Sequence, residues 1–335
     1  MTLYCGIDLH ANNHYVAIID DEDHRLLERR LSNSIDQTLM VLQDYRAAIA
    51  GIVVESTFNW YWLVDGLQEA GYEVHLANPT AIKQYDGLKY SDDRHDAFYL
   101  AHLLRLGILP TGYIYPKDQR GVRDLLRRRM TLVQIGARLM IAAQSQLWRC
   151  LGLQVSSNQL RRVDYENPFP PGPERLALTH YLRLYHQTQG TILLLTRQAL
   201  SLMKDHVPYQ LLRTMPGIGE VLGLTIALET GDIQRFKSPG NYASYCRCVQ
   251  SRRMSNGKCK GQANRKSGNK YLSWAFHEVA HYAVRFEPRA KRFYERKRTR
   301  TNGIVGIRAV AHKCARAAYM IMRHETPFDA GKLFA

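Results

Sequence analysis

The chain opens on three short apolar runs, at 3–9, 14–20 and 25–32, and an acidic turn, DDEDH, lies at 20–24 between the last two. Alternating or continuous apolar positions over such short lengths predict three strands in a meander. A helical period follows at 36–49, then the buried-strand run GIVVES at 51–56, a helix over 60–71 and a strand, YEVHLA, at 72–77. The last element of this region is an amphipathic helix over 92–106. At about 100° per residue, Ala97, Leu100, Leu103 and Leu104 form one stripe, and Arg94, His95, His102 and Arg105 take the opposite face.

A three-strand meander followed by alternating strand and helix is the order of a ribonuclease-H-like α/β domain, here residues 1–110. A Gly/Pro/Tyr-rich linker at 107–121 ends it. Two long periodic segments come next. Leu126, Met130, Val133, Ala137, Met140, Gln144, Leu147 and Leu151 step by fours and threes, as do Leu178, Tyr181, Tyr185, Thr188, Ile192, Leu195, Ala199 and Leu202. These heptad seams predict a helical coiled-coil segment over 111–205, with ENPFPPGP (166–173) as an inserted loop. The remainder, 206–335, is mainly α-helical and ends on an amphipathic helix at 304–323.

Charge sharpens this division. The 335 residues include 46 basic and 30 acidic side chains, for a net charge of +16. Residues 1–100 nevertheless hold 16 acids and 7 bases, and the rest holds 39 bases and 14 acids. An acidic, metal-holding domain joined to a polyanion-binding body fits this asymmetry. Six cysteines without a CxxC pair argue against a zinc site, and no uncharged run is long enough to span a membrane. The N-terminus lacks the pattern of a signal peptide, so the expectation is a cytoplasmic protein.

Candidate chemistry begins with the acids. Asp8 lies in the first strand, Glu55 ends the fourth, and neighbouring strands of this fold would bring them to one edge. Asp93 and Asp96 fall on the apolar stripe of the 92–106 helix, where a buried charge needs a partner such as a metal. Asp92, at the flank, reads as a helix-start acid behind an N-cap at Ser91. Four oxygen donors suit Mg²⁺ or Mn²⁺, and two such ions about 4 Å apart can clamp the oxygens of a phosphodiester exchange.

The basic body carries two further features. PGIG, with Gly217 and Gly219, precedes a helix and can present backbone N–H groups to a phosphate, as in a helix–hairpin–helix element. The stretch 250–272 holds Arg252, Arg253, Lys258, Lys260, Arg265, Lys266 and Lys270 and no acid, a tract suited to nucleic-acid backbones. Ser255 lies within it as a candidate nucleophile on phosphorus, although Ser251 and Ser267 are not distinguished from it by their surroundings.

GID on the first strand, VVES on the fourth, DRHDA on the following helix, MPGIGEVLGLTIALETGDIQRF, SNGK and RKSGNKYL occur in that order over nearly the whole chain. Together they resemble the DEDD transposases of insertion-sequence family one-ten, which are related to the Piv/MooV DNA invertases. The resemblance implies a RuvC-like N-terminal domain, a coiled-coil segment and a C-terminal transposase domain. It implies catalytic, metal-holding Asp8, Glu55, Asp93 and Asp96, with Ser255 forming a 5′-phosphoserine link to DNA. It also implies a structured bridge RNA that pairs with donor and target DNA. The active form would be a homo-oligomer, a dimer assembling to a tetramer, whose composite sites join acids and serine from different protomers; when active it would be nucleoid-associated. Three rivals remain: a metal-only nuclease akin to a junction resolvase, a protein-only DNA invertase, and a nucleic-acid-binding module whose acids hold no metal.

Overall fold

The computed structural model describes residues 1–82, 92–249, 254–261 and 267–329. The chain divides into two compact units, Met1–Lys117 and Asp118–Ala335.

In the first unit, β1 (Leu3–Leu9), β2 (Asn13–Ile19) and β3 (Arg25–Ser32) form the antiparallel meander. Helix α1 (Ile35–Gln43), capped by Ser34, leads into β4 (Ile49–Glu55), which runs parallel to β1. Helix α2 (Tyr61–Glu69) connects to β5 (Val74–Ala77), parallel to β4, and α3 (Asp93–Arg105) precedes the two-residue edge strand β6 (Thr111–Gly112). The sheet order is β3-β2-β1-β4-β5-β6, a mixed sheet with its first strand at the centre, as in ribonuclease-H-like domains. Helix α1 is shorter than its 36–49 period predicts because Ile49 already pairs with Leu3 at the head of the parallel ladder.

Alternation along β1 decides what each face holds. Leu3, Cys5, Ile7 and Leu9 join Leu42 of α1 and Leu63, Val64 and Leu67 of α2 in one core layer. The other face is covered by α3, where Leu100 and Leu103 pack with Val53, Ala77 and Ile82. Gly6 lies on this second face. A Cβ there would collide with the Ala97 carbonyl oxygen and come within 2.8 Å of the Ala101 nitrogen, so α3 rests directly on the β1 backbone. The far end of α3 is latched to the β2–β3 turn: Asp23 accepts from Arg105 Nε at 2.8 Å and contacts His102 Nδ1 at 2.9 Å. Burial alone would raise the Asp23 carboxyl, but hydrogen bonds from His102 and Arg105 hold it below the ordinary range.

The second unit is helical. Helix α4 (Lys117–Leu151) and, beyond the short α5 (Ser157–Leu160), α6 (Pro173–Met203) are antiparallel partners. Gln146 Nε2 donates to the Glu174 carbonyl at 2.8 Å, and Arg129 Nε donates to Thr196 Oγ1 at 2.7 Å. The α6 seam is buried at Leu178, Tyr185, Ile192 and Ala199 and then passes to Met203, while the expected Leu202 is 56% exposed. A straight helix at 3.6 residues per turn drifts from a 3.5 repeat by about 20° per heptad, which moves the stripe one residue on. In α4, Leu126, Met140 and Leu147 are buried at whole-heptad spacing, whereas Val133 and Leu151 face outward.

The remaining elements are α7 (Val207–Leu212), α8 (Glu220–Thr230), α9 (Pro239–Tyr245), a hairpin of β7 (Met254–Ser255) and β8 (Lys258–Cys259), α10 (Lys270–Phe286), α11 (Pro288–Arg300) and α12 (Gly303–His324). Tyr242 and Phe276 are fully buried among alanines of α10 and α12, including Ala275, Ala280, Ala311 and Ala315, whose small side chains permit close helix approach. No helix among the described residues is long and apolar enough to cross a membrane.

Candidate active site

Two parallel strands and one helix start build the acidic site. The β1–β4 register pairs Ile7 with Val54, so Asp8 and Glu55 come next, side by side at the C-terminal ends of their strands. Asp8 shares the α3-facing side of β1 with Gly6. The close contact at Gly6 therefore brings the first turn of α3, with Asp93 and Asp96, over Asp8. Asp92 is the N-cap: its Oδ1 accepts from the His95 backbone N–H at 2.8 Å. The cap thus falls on Asp92 and not on Ser91, which lies outside the described residues.

Asp8 is 2% exposed. Burial, a side-chain hydrogen bond to Glu55 and the charges of Glu55, Asp96 and Asp93 push its carboxyl up to about 8. Each cause is a reason to gain a cation. A buried carboxylate among three other acids is stabilised by a proton or by a metal ion, and oxygen donors of this kind fit a hard divalent ion. The acidic turn at 20–24 serves differently: Asp20 accepts from the backbone N–H groups of Glu22 and His24 and shapes the β2–β3 hairpin.

One member of the site was not expected. His10, just beyond β1, places Nε2 3.0 Å from Asp8 Oδ2 and 3.1 Å from Asp93 Oδ1. Asp8 Oδ2 and His10 Nε2 are buried atoms without a hydrogen bond of acceptable geometry among the described residues. Donor atoms of Asp8, His10 and Asp93 all lie within 4.8 Å of one another. The signal was present in the sequence, because Asp8 and His10 are two residues apart and period-two alternation puts them on one face.

In the second unit, Asn256 at φ 49° and Gly257 at φ 71° form the two-residue turn between β7 and β8. Positive φ at both positions is the geometry that an Asn-Gly pair favours, a hairpin signal the motif SNGK carries openly. Ser255 is paired with Lys258 across the ladder, so the two exposed side chains rise from the same face of the hairpin. The base of this segment is closed by Arg247, whose Nη2 donates to the Gly268 carbonyl at 2.7 Å, and by the Asn269 N–H on the Tyr245 carbonyl at 2.7 Å. Asn269 Nδ2 also donates to Glu229 Oε2 at 2.7 Å, and Arg127 Nε donates to the other oxygen at 2.6 Å.

Lys260 and Lys270 are exposed near this segment, whereas Arg252, Arg253, Arg265 and Lys266 lie outside the described residues. The two hairpin glycines differ. Gly217, at φ 89°, is pressed against α10, where a Cβ would meet the Val279 carbonyl oxygen at 2.9 Å, so packing accounts for it. Gly219 is the open N-cap of α8 and has nothing within 4 Å of a Cβ.

Comparison with known proteins finds matches in both units. A model of DEDD transposases of the IS110 type, described as transposase, matches residues 5–150, and one described as the IS116/IS110/IS902 family of transposases matches residues 209–295. Among similar proteins, "Putative transposase y4qE" of Sinorhizobium fredii is 25% identical over 240 residues, covering 68% of this chain and 57% of its own length. The "Transposase for insertion sequence element IS1328" of Yersinia enterocolitica is 24% identical over 342 residues, covering 97% of this chain and 98% of its own. Among solved structures, T. thermophilus RuvC in complex with a Holliday junction substrate aligns over 33% of this chain and all of its own, at 18% identity and a TM-score of 0.27.

Proposed function

We propose a reaction for this chain, which belongs to the IS116/IS110/IS902 family of transposases and is an enzyme of DNA transposition. It cleaves and rejoins DNA strands using a divalent ion, Mg²⁺ or Mn²⁺, held by Asp8, Glu55, Asp93 and Asp96, with Ser255 as the nucleophile. The observation that carries the reading is the convergence of Glu55, Asp93 and Asp96 on the buried carboxyl of Asp8.

A bound ion would neutralise phosphate oxygens and favour the charge that develops during exchange. The chain's own residues do the rest. Asp8 would give up its proton on holding the ion, and Asp93 and Asp96 would supply further oxygens from the helix start. Ser255 Oγ forms a bond to phosphorus as the P–O3′ bond breaks. The serine proton passes to solvent, and the departing 3′ oxygen leaves as a hydroxyl. Rejoining reverses these bonds: a 3′-hydroxyl attacks the phosphoserine and the Ser255 hydroxyl is restored, so no external energy source is needed. Lys258, on the same hairpin face, offsets the charge on the attacked phosphate.

The fuller reading assigns 1–110 to the acids, 111–205 to a coiled-coil arm that assembles a homo-oligomer, and 206–335 to the serine. The α7–α8 glycine hairpin acts as a helix–hairpin–helix backbone contact through Gly219. A bridge RNA selects donor and target DNA, and the work takes place in the cytoplasm on nucleoid DNA. Exposed Ile141, Trp148, Leu184 and Leu194 along α4 and α6 support self-association.

The test is a denaturing gel of protein, co-purified RNA, Mg²⁺ and labelled element-junction DNA. Label migrating with wild-type protein, absent from both Ser255→Ala and Asp8→Asn, is the expected result. Free cleaved DNA in the Ser255→Ala lane without any adduct in wild type would instead establish a metal-only nuclease.

A further inference from the structure

His10 is the group at the acidic site that the four-carboxylate reading leaves unused. Its place is set by backbone contacts on both sides. The His10 N–H donates to the Asn13 carbonyl at 2.9 Å, closing the β1–β2 turn. Its carbonyl accepts from Asn33 Nδ2 at 3.1 Å and from Asn59 Nδ2 at 3.0 Å, carboxamides that arrive from the β3–α1 and β4–α2 junctions. With the backbone held from two directions, the imidazole is aimed back across the strand end at Asp8.

The spacing around Nε2 is that of a coordination shell. Adjacent donors of an octahedral ion with bonds of about 2.1 Å lie about 3.0 Å apart. The two separations at His10 Nε2 are 3.0 and 3.1 Å, to oxygens of Asp8 and Asp93. A simple ion pair would align an N–H with an oxygen lone pair, yet Asp8 Oδ2 and His10 Nε2 are both buried without such a hydrogen bond. Donor atoms of Asp8, His10 and Asp93, all within 4.8 Å of one another, are close enough to share a fourth atom.

We infer that His10 Nε2 is a metal ligand alongside Asp8 and Asp93, and that it shifts the site's preference from Mg²⁺ towards Mn²⁺. The inference rests on the carboxylate metal site proposed above and adds to it a nitrogen donor. Imidazole suits first-row transition ions, whereas Mg²⁺ takes oxygen ligands and holds its waters. The other nearby imidazole is engaged: His14 has Asn33 Oδ1 at 3.1 Å from Nδ1 and Thr38 Oγ1 at 3.0 Å from Nε2, deep in the domain.

The experiment uses the full chain and Mn²⁺ alone. Continuous-wave electron paramagnetic resonance counts bound Mn²⁺, Mg²⁺ competition gives relative affinity, and pulsed echo modulation detects a directly bonded ¹⁴N. Wild type should show ¹⁴N modulation. His10→Ala should retain Mn²⁺ binding through the carboxylates but lose the ¹⁴N signal, with Mn²⁺ affinity reduced at least roughly tenfold. Its Mg²⁺ affinity should change much less. His10→Gln, which preserves bulk and polarity, should also lose the ¹⁴N signal, so a packing defect in the alanine variant cannot imitate the result.

Asp8→Asn separates the two levels of the proposal. If it abolishes Mn²⁺ binding while wild type shows no ¹⁴N coupling, the carboxylate site stands and the His10 assignment is overturned. Tighter Mn²⁺ binding in His10→Ala would likewise overturn it, because a protonated His10 acting as a counter-charge competes with the ion. Unchanged Mn²⁺ binding in Asp8→Asn would sink the carboxylate site itself, and the His10 assignment with it.

Discussion

Gly6→Ala tests how the site is assembled without touching any group that could hold an ion. The added Cβ would overlap the Ala97 carbonyl oxygen and lie 2.8 Å from the Ala101 nitrogen and 3.1 Å from the Ala97 carbonyl carbon. Ordinary carbon contacts settle near 3.5–4 Å, so α3 must retreat by about 1 Å. Both obstacles are helix backbone, and no side-chain rotation relieves them. Overpacking of this kind costs about 1–3 kcal/mol. The effect on the site is larger in proportion, because metal–oxygen bonds of about 2.1 Å tolerate only a few tenths of an ångström. A displaced α3 carries Asp93 and Asp96 away from Asp8 and Glu55.

The assay pairs Mn²⁺ titration with thermal unfolding in chelator and in excess Mn²⁺. In wild type, Mn²⁺ at a hundred times its dissociation constant should add about 2.7 kcal/mol to stability. Gly6→Ala should unfold earlier in chelator and gain little from Mn²⁺. Wild-type affinity and unfolding in this variant would refute the claim that the α3–β1 contact assembles the acids.

Three further outcomes follow from particular contacts. Asp23→Asn should destabilise the first unit by about 1–2 kcal/mol at neutral pH, since it loses charged hydrogen bonds to α3. Asp23 is held below its ordinary value, so this stability is present above about pH 4 and lost as pH falls through the folded value; urea melts of both proteins should converge in strong acid. Asp8 has the opposite sign: its carboxyl is raised to about 8, so its contribution is complete below pH 3.8 and disappears as pH rises through 8. In chelator, the stability of Asp8→Asn relative to wild type should therefore increase between pH 5 and pH 9, and a flat difference would contradict the burial of that charge. Replacing Lys258 and Lys260 by alanine should weaken nucleic-acid binding and flatten the plot of log affinity against log salt by about 1–2 units, as expected for one or two lost phosphate contacts; unchanged slopes would remove these lysines from the interface.

The pattern of apolar runs was enough for the order of elements in the first unit through α3, because strand alternation and helical period are local properties of the chain; the two-residue β6 falls in the stretch read as a linker. It also marked Asp92 as a helix-start acid, and the family motifs singled out the four carboxylates that the structure brings to one strand edge. Other features were written locally but are easy to pass over. Asp8 and His10 are two apart at the end of β1, and Asn256-Gly257 specifies its turn through positive φ alone.

What the sequence by itself determined is the order of elements, the placement of Asp8, Glu55, Asp93 and Asp96 on them, and the split of charge between an acidic and a basic part. Only the tertiary structure decided that Gly6 is a landing surface for α3, that Gly217 is taken up by packing, and that the α6 stripe passes from Leu202 to Met203. It also decided that Asp8 is buried among like charges, which is what turns a strand-end aspartate into a group in need of a cation. The physical reason is one of range. Periodicity and turn chemistry act over a few residues, whereas backbone approach, desolvation and the meeting of Asp8 with Asp93 depend on segments about 85 residues apart in the chain and are fixed only when the sheet and its covering helix close together.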